Sequence, residues 1–406
     1  MASVATPLFP LGQPALNEAV CLADVVAGAK ASGVRADRSP PRGTRQLFFN
    51  RLSFQPFVDT HQHAMPVLIP DKERIPGVCY ALTQQGIELP VIDVTHPSFK
   101  ADHSTAALEA LRARVAVETL RWSRNPRWLQ RLLMALVVRR SVLMRGLRSS
   151  AGTFLSGMNT YLLKLPPLHL TSSFATPTDR RIAAKPQLMD VRLRLQVMAD
   201  LLAEKLCQDL DRAPACAPVF LLNIAGGPTM DSLNALILAR HRAPASLSGR
   251  QIQIKVLDAH DEGPDFGRNA LESLKTASGP LSGQDIRFAH QPYDWNKPEL
   301  LRDVFKDLSS DTISLGSSEG GLFHYASDDV IRANLAMLRD CTGSGFSFAG
   351  SLTPDTPVNR ASLGFSGAAM RFFRPEDFEA LVHDTGWRID RQVEVIRTLC
   401  VRLVKA

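Results

Sequence analysis

The hydrophobic pattern predicts a helical region in the first half of the 406-residue chain. From 104 to about 146, Leu and Ala recur at three- and four-residue spacing, as on one face of a helix. Asn125-Pro126 is expected to separate two helices there, because proline disfavours a helical residue before it. A further long helix is predicted over 186–210, and one short helix over 17–32. Residues 49–104 are rich in proline and short apolar runs, which indicates ordered loops and a few short strands.

The pattern changes at Ala217, where apolar strands begin to alternate with helices of about ten residues. Such alternation predicts a mostly parallel sheet with crossover helices. Two strand-like stretches in succession, 387–392 and 394–406, predict an antiparallel C-terminal strand at or near the sheet edge. Strands are predicted at 219–224, 251–259, 286–291, 311–318 and 345–352, and helices at 232–240, 263–276, 298–308, 327–339 and 374–385.

These elements predict an α/β chain with three parts. The first is a flexible segment at 1–48, which includes a Pro/Arg/Gly-rich stretch typical of a linker. A mostly helical domain follows at 49–210, and a Rossmann-like domain occupies 217–406. A chain of this length normally forms more than one folded unit.

The charge of the chain is informative in one region only. The formal net charge of +7 on 44.5 kDa is too dilute to be a nucleic-acid signature. Between Arg112 and Arg148, however, ten arginines accompany a single acidic residue, Glu118. This pattern is typical of a solvated helix face, of a binding surface for an acidic partner, or of a membrane-surface helix.

Nothing in the sequence predicts a membrane span or a disulfide framework. The longest strongly apolar run, Leu132 to Val138, has seven residues, and a spanning helix needs roughly 20. The six cysteines are scattered without a CxxC pair, which favours reduced thiols. The first 20 residues lack a basic segment followed by an apolar run, so no secretory signal is expected. We therefore predict a cytoplasmic protein.

Candidate ligand-binding residues follow the predicted strands, where doubly wound sheets bind their ligands. After the first strand comes the string NIAGGPT (223–229), whose glycines let a ligand approach the backbone closely. A helix that opens near Met230 offers free N–H groups to an anionic group. The second strand ends in Asp258, which is placed to accept hydrogen bonds from two ribose hydroxyls. The third ends near Tyr293 and Asp294, which suit an adenine ring and its exocyclic amine.

These residues resemble the class I S-adenosylmethionine-dependent methyltransferases over about the last 190 residues. The C-terminal pair of strands distinguishes that family from nicotinamide-binding dehydrogenases with GxGxxG, and the string here is AGGPTM. The resemblance implies S-adenosyl-L-methionine as cofactor. It also implies that Asp258 holds the ribose, that Tyr293 and Asp294 flank the adenine, and that the turn lines the methionine and ribose. The cofactor-binding residues predicted in this way are Asn223, Ala225, Gly226, Gly227, Asp258, Ala259, Tyr293, Asp294 and Ser317.

The segment after the fourth strand supplies two catalytic candidates. The string LFHYASDDVIRANLAML (322–338) is similar to the segment of small-molecule O-methyltransferases in which a histidine deprotonates the acceptor. His324 is the predicted general base, since the unperturbed pKa of histidine lies near physiological pH. Glu319 is predicted to orient an acceptor amine or hydroxyl. The alternatives are a histidine that only packs beside the cofactor, a surface glutamate, and methyl transfer by positioning without a base.

A competing motif lies earlier, at Asp59-Thr-His61-Gln-His63. An HxH after an apolar strand is how metal-dependent amidohydrolases of the TIM-barrel type begin. The later histidines do not follow barrel strands in the required order, and only about five parallel strands are predicted. Hydrogen-bonded loop residues, or residues that face a substrate, are the other interpretations of His61 and His63, and no metal is predicted.

The favoured function is methyl transfer to an oxygen or nitrogen of a small-molecule acceptor that the helical domain covers. The basic helices favour an acidic acceptor. A nucleic-acid substrate is disfavoured, because the [DNS]PP[YFW] string is absent after strand four. Analogy with similarly built methyltransferases suggests a homodimer. The alternatives are a non-catalytic relative, suggested by Asn223 where many family members have an acid, and the metal-dependent amidohydrolase.

Overall fold

The computed structural model describes residues 65–149, 154–363 and 369–406. The predicted flexible segment, the predicted helix over 17–32 and the motif with His61 and His63 lie outside the described residues.

The described chain begins with a small hairpin and six helices. The hairpin strands pair antiparallel, with Ala81 opposite Leu89. Helix α6 is the longest of the six and covers the residues that the sequence predicted. Short 3-10 turns lie at Asp71–Glu73 and Pro167–His169. The elements are β1 (Tyr80–Leu82), β2 (Glu88–Pro90), α1 (Thr105–Ser123), α2 (Arg127–Arg140), α3 (Val142–Ser149), α4 (Gly157–Lys164), α5 (Pro177–Ala183) and α6 (Pro186–Leu210).

The region predicted as two helices over 104–146 forms three. Pro126 caps α2 in an extended conformation, which confirms the predicted break. The second break, at Ser141, was not predicted. Ser141 is extended, its hydroxyl donates to Asp179 Oδ1 at 2.5 Å, and the Leu143 N–H donates to the same oxygen at 3.0 Å. A carboxylate 38 residues away therefore ends α2 and starts α3.

Seven strands form one open sheet in the order β5-β4-β3-β6-β7-β9-β8. The first five pair in parallel, whereas β9 runs antiparallel to both of its neighbours, as the C-terminal pattern predicted. This is the Rossmann-like architecture expected from the sequence. The strands are β3 (Val219–Ile224), β4 (Gln251–Asp258), β5 (Asp285–Pro292), β6 (Ile313–Ser318), β7 (Ser347–Leu352), β8 (Trp387–Glu394) and β9 (Leu399–Lys405).

Helices connect the strands at nearly all the predicted positions. The helix predicted over 298–308 is shorter: a 3-10 turn at Pro298–Leu300 precedes a five-residue helix. The helices of this half are α7 (Met230–Arg242), α8 (Pro244–Leu247), α9 (Glu262–Leu274), α10 (Leu301–Phe305), α11 (Leu322–Tyr325), α12 (Asp328–Cys341), α13 (Pro357–Leu363) and α14 (Pro375–Asp384).

The two faces of the sheet belong to different hydrophobic cores because side chains alternate along each strand. Val219 and Leu221 face a core that continues into α1, α4 and α6, while Phe220 and Leu222 face a second core with α12 and α14. Helix α6 thus packs against both the sheet and the preceding helices. The predicted boundary between a helical domain ending at 210 and a domain beginning at 217 stays a prediction.

The order of the strands also fixes where a ligand is expected. Strand β3 lies between β4 and β6, so the chain leaves it first in one direction and later in the other. Such a switch point opens a crevice at the carboxyl ends of the strands. Within the described parts of the chain, none of the helices combines the length and apolar character that crossing a membrane would require.

Candidate functional site

The turn after β3 is built from strained and side-chain-free positions. Ala225, Gly227 and Thr229 have φ angles of 55°, 55° and 52°, in the left-handed region that L side chains rarely adopt. A Cβ added at Gly226 would lie 1.7 Å from Oδ1 of Asn223, so no larger residue fits there. Glycine at 226 therefore leaves space for the buried side chain of Asn223 beneath the turn.

The predicted ribose-binding carboxylate touches this turn. The Gly227 N–H donates to Asp258 Oδ2 at 2.9 Å, and the His260 N–H donates to Asp258 Oδ1 at 3.0 Å. Burial raises the pKa of Asp258 above its ordinary value. Ala259 follows as an exposed residue. The structure thus brings together the glycine turn and the acidic end of β4, although they are 31 residues apart.

Two other predicted cofactor residues lie beneath the turn. Asn223 and Ser317 are fully buried, and Asn223 Nδ2 donates to Ser317 Oγ at 3.0 Å and to Asp231 Oδ1 at 2.8 Å. Burial, followed by the nearby carboxylate of Glu319, raises the pKa of Asp231 to about 6. Among the described residues, Asn223 Oδ1 and Asp231 Oδ2 have no hydrogen-bond partner. This buried polar group supports the turn from below.

The residues after β5 are divided between the interior and the surface. Tyr293 is buried, and its hydroxyl donates to Asn334 Oδ1 on α12 at 2.7 Å. Asp294 is exposed and accepts a hydrogen bond from the Asn296 N–H at 3.0 Å. Trp295 is half-buried, and its ring makes an edge-to-face contact with Phe154.

A phenylalanine that the sequence analysis did not single out bridges the strand ends. The ring centroid of Phe154 lies 5.6 Å from that of His260, 6.2 Å from Trp295 and 6.3 Å from Tyr325. These partners follow β4, β5 and β6 respectively. The backbone just beyond Phe154 also approaches the turn, since a Cβ added at Gly227 would lie 2.6 Å from Gly157 Cα. No periodicity marks Phe154 in the sequence, because its role depends on three distant partners.

Glu319 forms a buried ion cluster rather than facing solvent. One carboxylate oxygen, Oε2, accepts a hydrogen bond from Lys164 Nζ, and the other, Oε1, accepts one from Arg194 Nε at 2.8 Å. Burial alone would raise the pKa of Glu319, but the two cations outweigh burial and lower it. The side chains of Lys164, Arg194 and Glu319 are 5%, 9% and 3% exposed. Glu319 is therefore committed to holding two cations.

His324 lies nearby on α11 and is 1% exposed. Its Nε2 has no hydrogen-bond partner in the described chain. Burial, together with the charge of Arg194, lowers the pKa of His324 to about 3. The imidazole is therefore neutral at physiological pH and offers a lone pair or an N–H according to its tautomer.

A cavity of about 650 Å³ opens beside His324. Gly320, His324 and Tyr325 line it from the sheet side, and α1, α3, α4 and α6 form much of the opposite wall. A volume of this size suits a small-molecule ligand. The turn and Asp258 do not line the cavity. Ala225 of the turn nevertheless lies close to it, since a Cβ added at Gly321, the neighbour of the lining residue Gly320, would lie 2.7 Å from Ala225.

Sequence reasoning missed the charged residues of α6 that reach this cavity. Asp190 and Arg194 both line it, and both are buried. Their spacing of four residues within an otherwise apolar helix face was the available signal, because charged residues are rarely buried without a partner. Across the ranges that the structure covers, no cluster of three or more His, Cys, Asp or Glu side chains could hold a metal ion.

No protein-family model matches the chain, and no curated protein matches its sequence. Among solved structures it is similar to a possible exported protein from Bordetella parapertussis, with a TM-score of 0.46 and 15% identity over 76% of this chain and 99% of that one. A second is magnesium protoporphyrin IX methyltransferase from Synechocystis PCC 6803 with bound SAH, with a TM-score of 0.36 and 14% identity over 54% of this chain and 87% of that one.

A third is mitomycin 7-O-methyltransferase, with a TM-score of 0.34 and 14% identity over 75% of this chain and 76% of that one. These likenesses concern the fold. The sheet order and its antiparallel strand agree with the resemblance to class I methyltransferases that the sequence indicated.

Proposed function

We propose that this protein transfers a methyl group from S-adenosyl-L-methionine to an oxygen or nitrogen of a small molecule bound in the 650 Å³ cavity. One observation carries the proposal: the hydrogen bond from the Gly227 N–H to Asp258 Oδ2 joins a glycine turn and a carboxylate at the switch point of the sheet. In a doubly wound sheet that is where a nucleoside-like ligand binds.

The residues at the edge of the sheet fit an adenosyl group. Asp258 is only partly covered, and its oxygens can accept hydrogen bonds from ribose hydroxyls. Ala225 and Gly226 are also partly exposed and present backbone instead of bulky side chains. The rings of Phe154 and Trp295 offer faces for the adenine. When bound, S-adenosyl-L-methionine supplies the activated methyl group.

The acceptor side is formed by the cavity. Ala225 touches Gly321, and the preceding residue, Gly320, lines the cavity, so the donor and acceptor positions are neighbours. His324 is neutral and has a free Nε2, which suits it to accept a hydrogen bond from the hydroxyl or amine of the acceptor. Glu319 acts on the acceptor only through Arg194: it is a positioning residue whose carboxylate holds the Arg194 guanidinium in place. The helices that close the cavity would exclude water from the reaction.

Isothermal titration with S-adenosylmethionine and its demethylated product tests the proposal. We expect the wild-type protein to bind both ligands. Asp258→Asn should bind at least tenfold more weakly, because a hydrogen bond to a charged group contributes about 1.5–3 kcal/mol. The matched control is Asp285→Asn, an exposed carboxylate at the opposite end of the sheet, which should bind like the wild type. Absence of binding by the wild type at high micromolar concentration, or unchanged binding by Asp258→Asn, would overturn the proposal.

A non-catalytic binding protein is the second candidate function. It is favoured by the burial of Asn223 and by the close packing of Gly157 and Gly263 against Gly227, which covers one side of the turn. Under this alternative the same titration detects neither ligand. The amidohydrolase interpretation depends on His61 and His63, outside the described residues, and would use a closed barrel where this chain has an open sheet. The homodimer and the cytoplasmic location stay predictions.

A further inference from the structure

The wall of the cavity contains a buried guanidinium, that of Arg194, whose hydrogen-bonding capacity is only partly used. Lys164 and Arg194 share the single carboxylate of Glu319, and all three side chains are at least nine-tenths buried. Nε of Arg194 donates to Glu319, but neither terminal nitrogen of its guanidinium donates to any residue of the described chain. Because Arg194 lines the cavity, these nitrogens are available to a ligand there.

The other charged groups nearby do not bond to the terminal nitrogens of Arg194. Asp190 accepts from the Arg397 N–H at 2.7 Å and from the Thr398 hydroxyl at 3.0 Å, and it also pairs with the Arg397 guanidinium at 3.6 Å. The charges of Asp190 and Arg397 thus neutralise each other. Asp231 interacts with Glu319 and Lys164 rather than with Arg194. Asp190 and Asp231 thus add negative charge close to Arg194 and Lys164. Neither carboxylate accepts a hydrogen bond from the terminal nitrogens of Arg194, which are left for a ligand.

Gly320 makes room for the end of the Arg194 side chain. A Cβ added at Gly320 would lie 2.9 Å from Nη2 of Arg194, and its φ of 75° also disfavours a side chain. The remaining wall is mainly apolar, with Met134, Met144, Leu147, Leu155, Leu163 and Leu188. Three other cations of the described chain line the cavity: Lys185 and Arg397 pair with Glu118 and Asp190, and Arg121 is exposed to solvent. The cavity therefore combines a large apolar surface with the buried guanidinium of Arg194.

We propose that the ligand of this cavity is a largely apolar molecule that carries one anionic oxygen group, a carboxylate or an acidic hydroxyl, which the terminal nitrogens of Arg194 bind. That this ligand is the methyl acceptor rests on the proposed function. The anion-binding role of Arg194 does not, since it follows from the cavity alone. Arg194 is accordingly the residue that selects an acidic acceptor over a neutral one of the same shape.

Two fluorescent probes of matched shape test the proposal without any cofactor. 1-Anilinonaphthalene-8-sulfonate carries one anionic group, and N-phenyl-1-naphthylamine is its neutral counterpart. The wild type should bind the anionic probe at least tenfold more tightly than Arg194→Met does, because the variant loses charge-assisted hydrogen bonds. Binding of the neutral probe should change less than twofold. Arg194→Met also leaves Lys164 and Glu319 as a balanced pair, which favours folding.

Two further variants make the test decisive. Arg194→Lys retains the charge and should restore part of the affinity for the anionic probe. Arg332→Met is the control, since it removes an arginine from an exposed ion pair with Asp384 away from the cavity, and both probes should bind as in the wild type. The proposal is overturned if Arg194→Met binds the anionic probe as the wild type does, or loses both probes equally. If Arg194→Met does not fold, the comparison uses the wild type and Arg194→Lys. The proposal is then overturned if each of these two proteins binds the neutral probe as tightly as the anionic one. A failed titration with S-adenosylmethionine leaves these readouts unaffected, so the two proposals fail separately.

Discussion

The fold lowers the pKa of His324, and the free energy of unfolding therefore depends on pH. This pKa is lowered to about 3 in the folded protein by burial and by Arg194, while an unfolded histidine titrates near 6.5. Between these values the unfolded chain binds a proton that the folded chain does not. The stability associated with His324 is therefore complete above about pH 6.5 and is lost as the pH falls toward 3.

The pH dependence of unfolding measures this effect. Between pH 7.5 and pH 5, His324 should cost the wild type about 2 kcal/mol, since each pKa unit corresponds to about 1.36 kcal/mol. His324→Gln should lose less stability over this interval by that amount. His383→Gln, which changes an exposed histidine, should behave like the wild type. Equal losses in all three proteins would show that His324 is not held neutral.

Gly226 tests whether the turn tolerates a side chain. Gly226→Ala places a methyl group 1.7 Å from the buried Asn223 Oδ1, so the turn or the asparagine must move. We expect a loss of about 1–3 kcal/mol in the free energy of unfolding, as for other overpacked sites. Gly343→Ala is the control, because an added Cβ meets nothing within 4 Å there and the residue is exposed. Denaturant unfolding measures both, and equal stabilities would contradict the tight turn.

The pairing of Asp258 with the turn could be predicted from sequence, whereas the role of Glu319 could not. Both Gly227 and Asp258 follow adjacent parallel strands, and the carboxyl ends of such strands meet at one edge. Glu319 also follows a strand, so it was predicted to face the acceptor. Its partner Arg194 lies 125 residues earlier on α6, and no local pattern announces an ion pair over that distance.

At the scale of elements, the ion cluster joins α4, α6 and the loop after β6. Glu319→Gln leaves Lys164 and Arg194 buried with no common counter-charge. We expect this change to destabilise the protein by about 3–5 kcal/mol, the usual effect of breaking a buried pair. Glu272→Gln removes the acid of an exposed pair with Lys275 and should change stability by less than about 1 kcal/mol. Thermal unfolding that affects both variants equally would contradict the role of the cluster.

Elements whose limits depend on local chemistry were predicted well. Strand β3 and helix α6 begin and end at the predicted residues, and the break before α2 falls at the proline. The break at Ser141 was missed because it depends on Asp179, which only the folded chain brings close. The short helix α4 was missed as well, although its position next to the turn makes it part of the site. Local sequence propensity thus predicts where most helices and strands lie, whereas contacts between distant residues determine where a helix is broken.

In the whole molecule, as far as the structure describes it, the sheet and the helices that precede it share both a hydrophobic core and a cavity. The core runs from α6 into the sheet, and the cavity lies between the helices and the loops after β6 and β7. A cavity at such a boundary takes its shape from both parts, so its lining could not be derived from either pattern alone. The sequence predicted that the helical region would cover an acceptor, and the position of this cavity supports that proposal.

A crystal structure of the protein with S-adenosylhomocysteine would show where the donor binds. We predict that both ribose hydroxyls lie within hydrogen-bonding distance of Asp258, with the sugar against Ala225 and Gly226 and the 650 Å³ cavity left free for the acceptor. A structure in which the ligand lies inside that cavity, or in which Asp258 bonds only to Gly227 and His260 while the ligand binds elsewhere, would contradict the account.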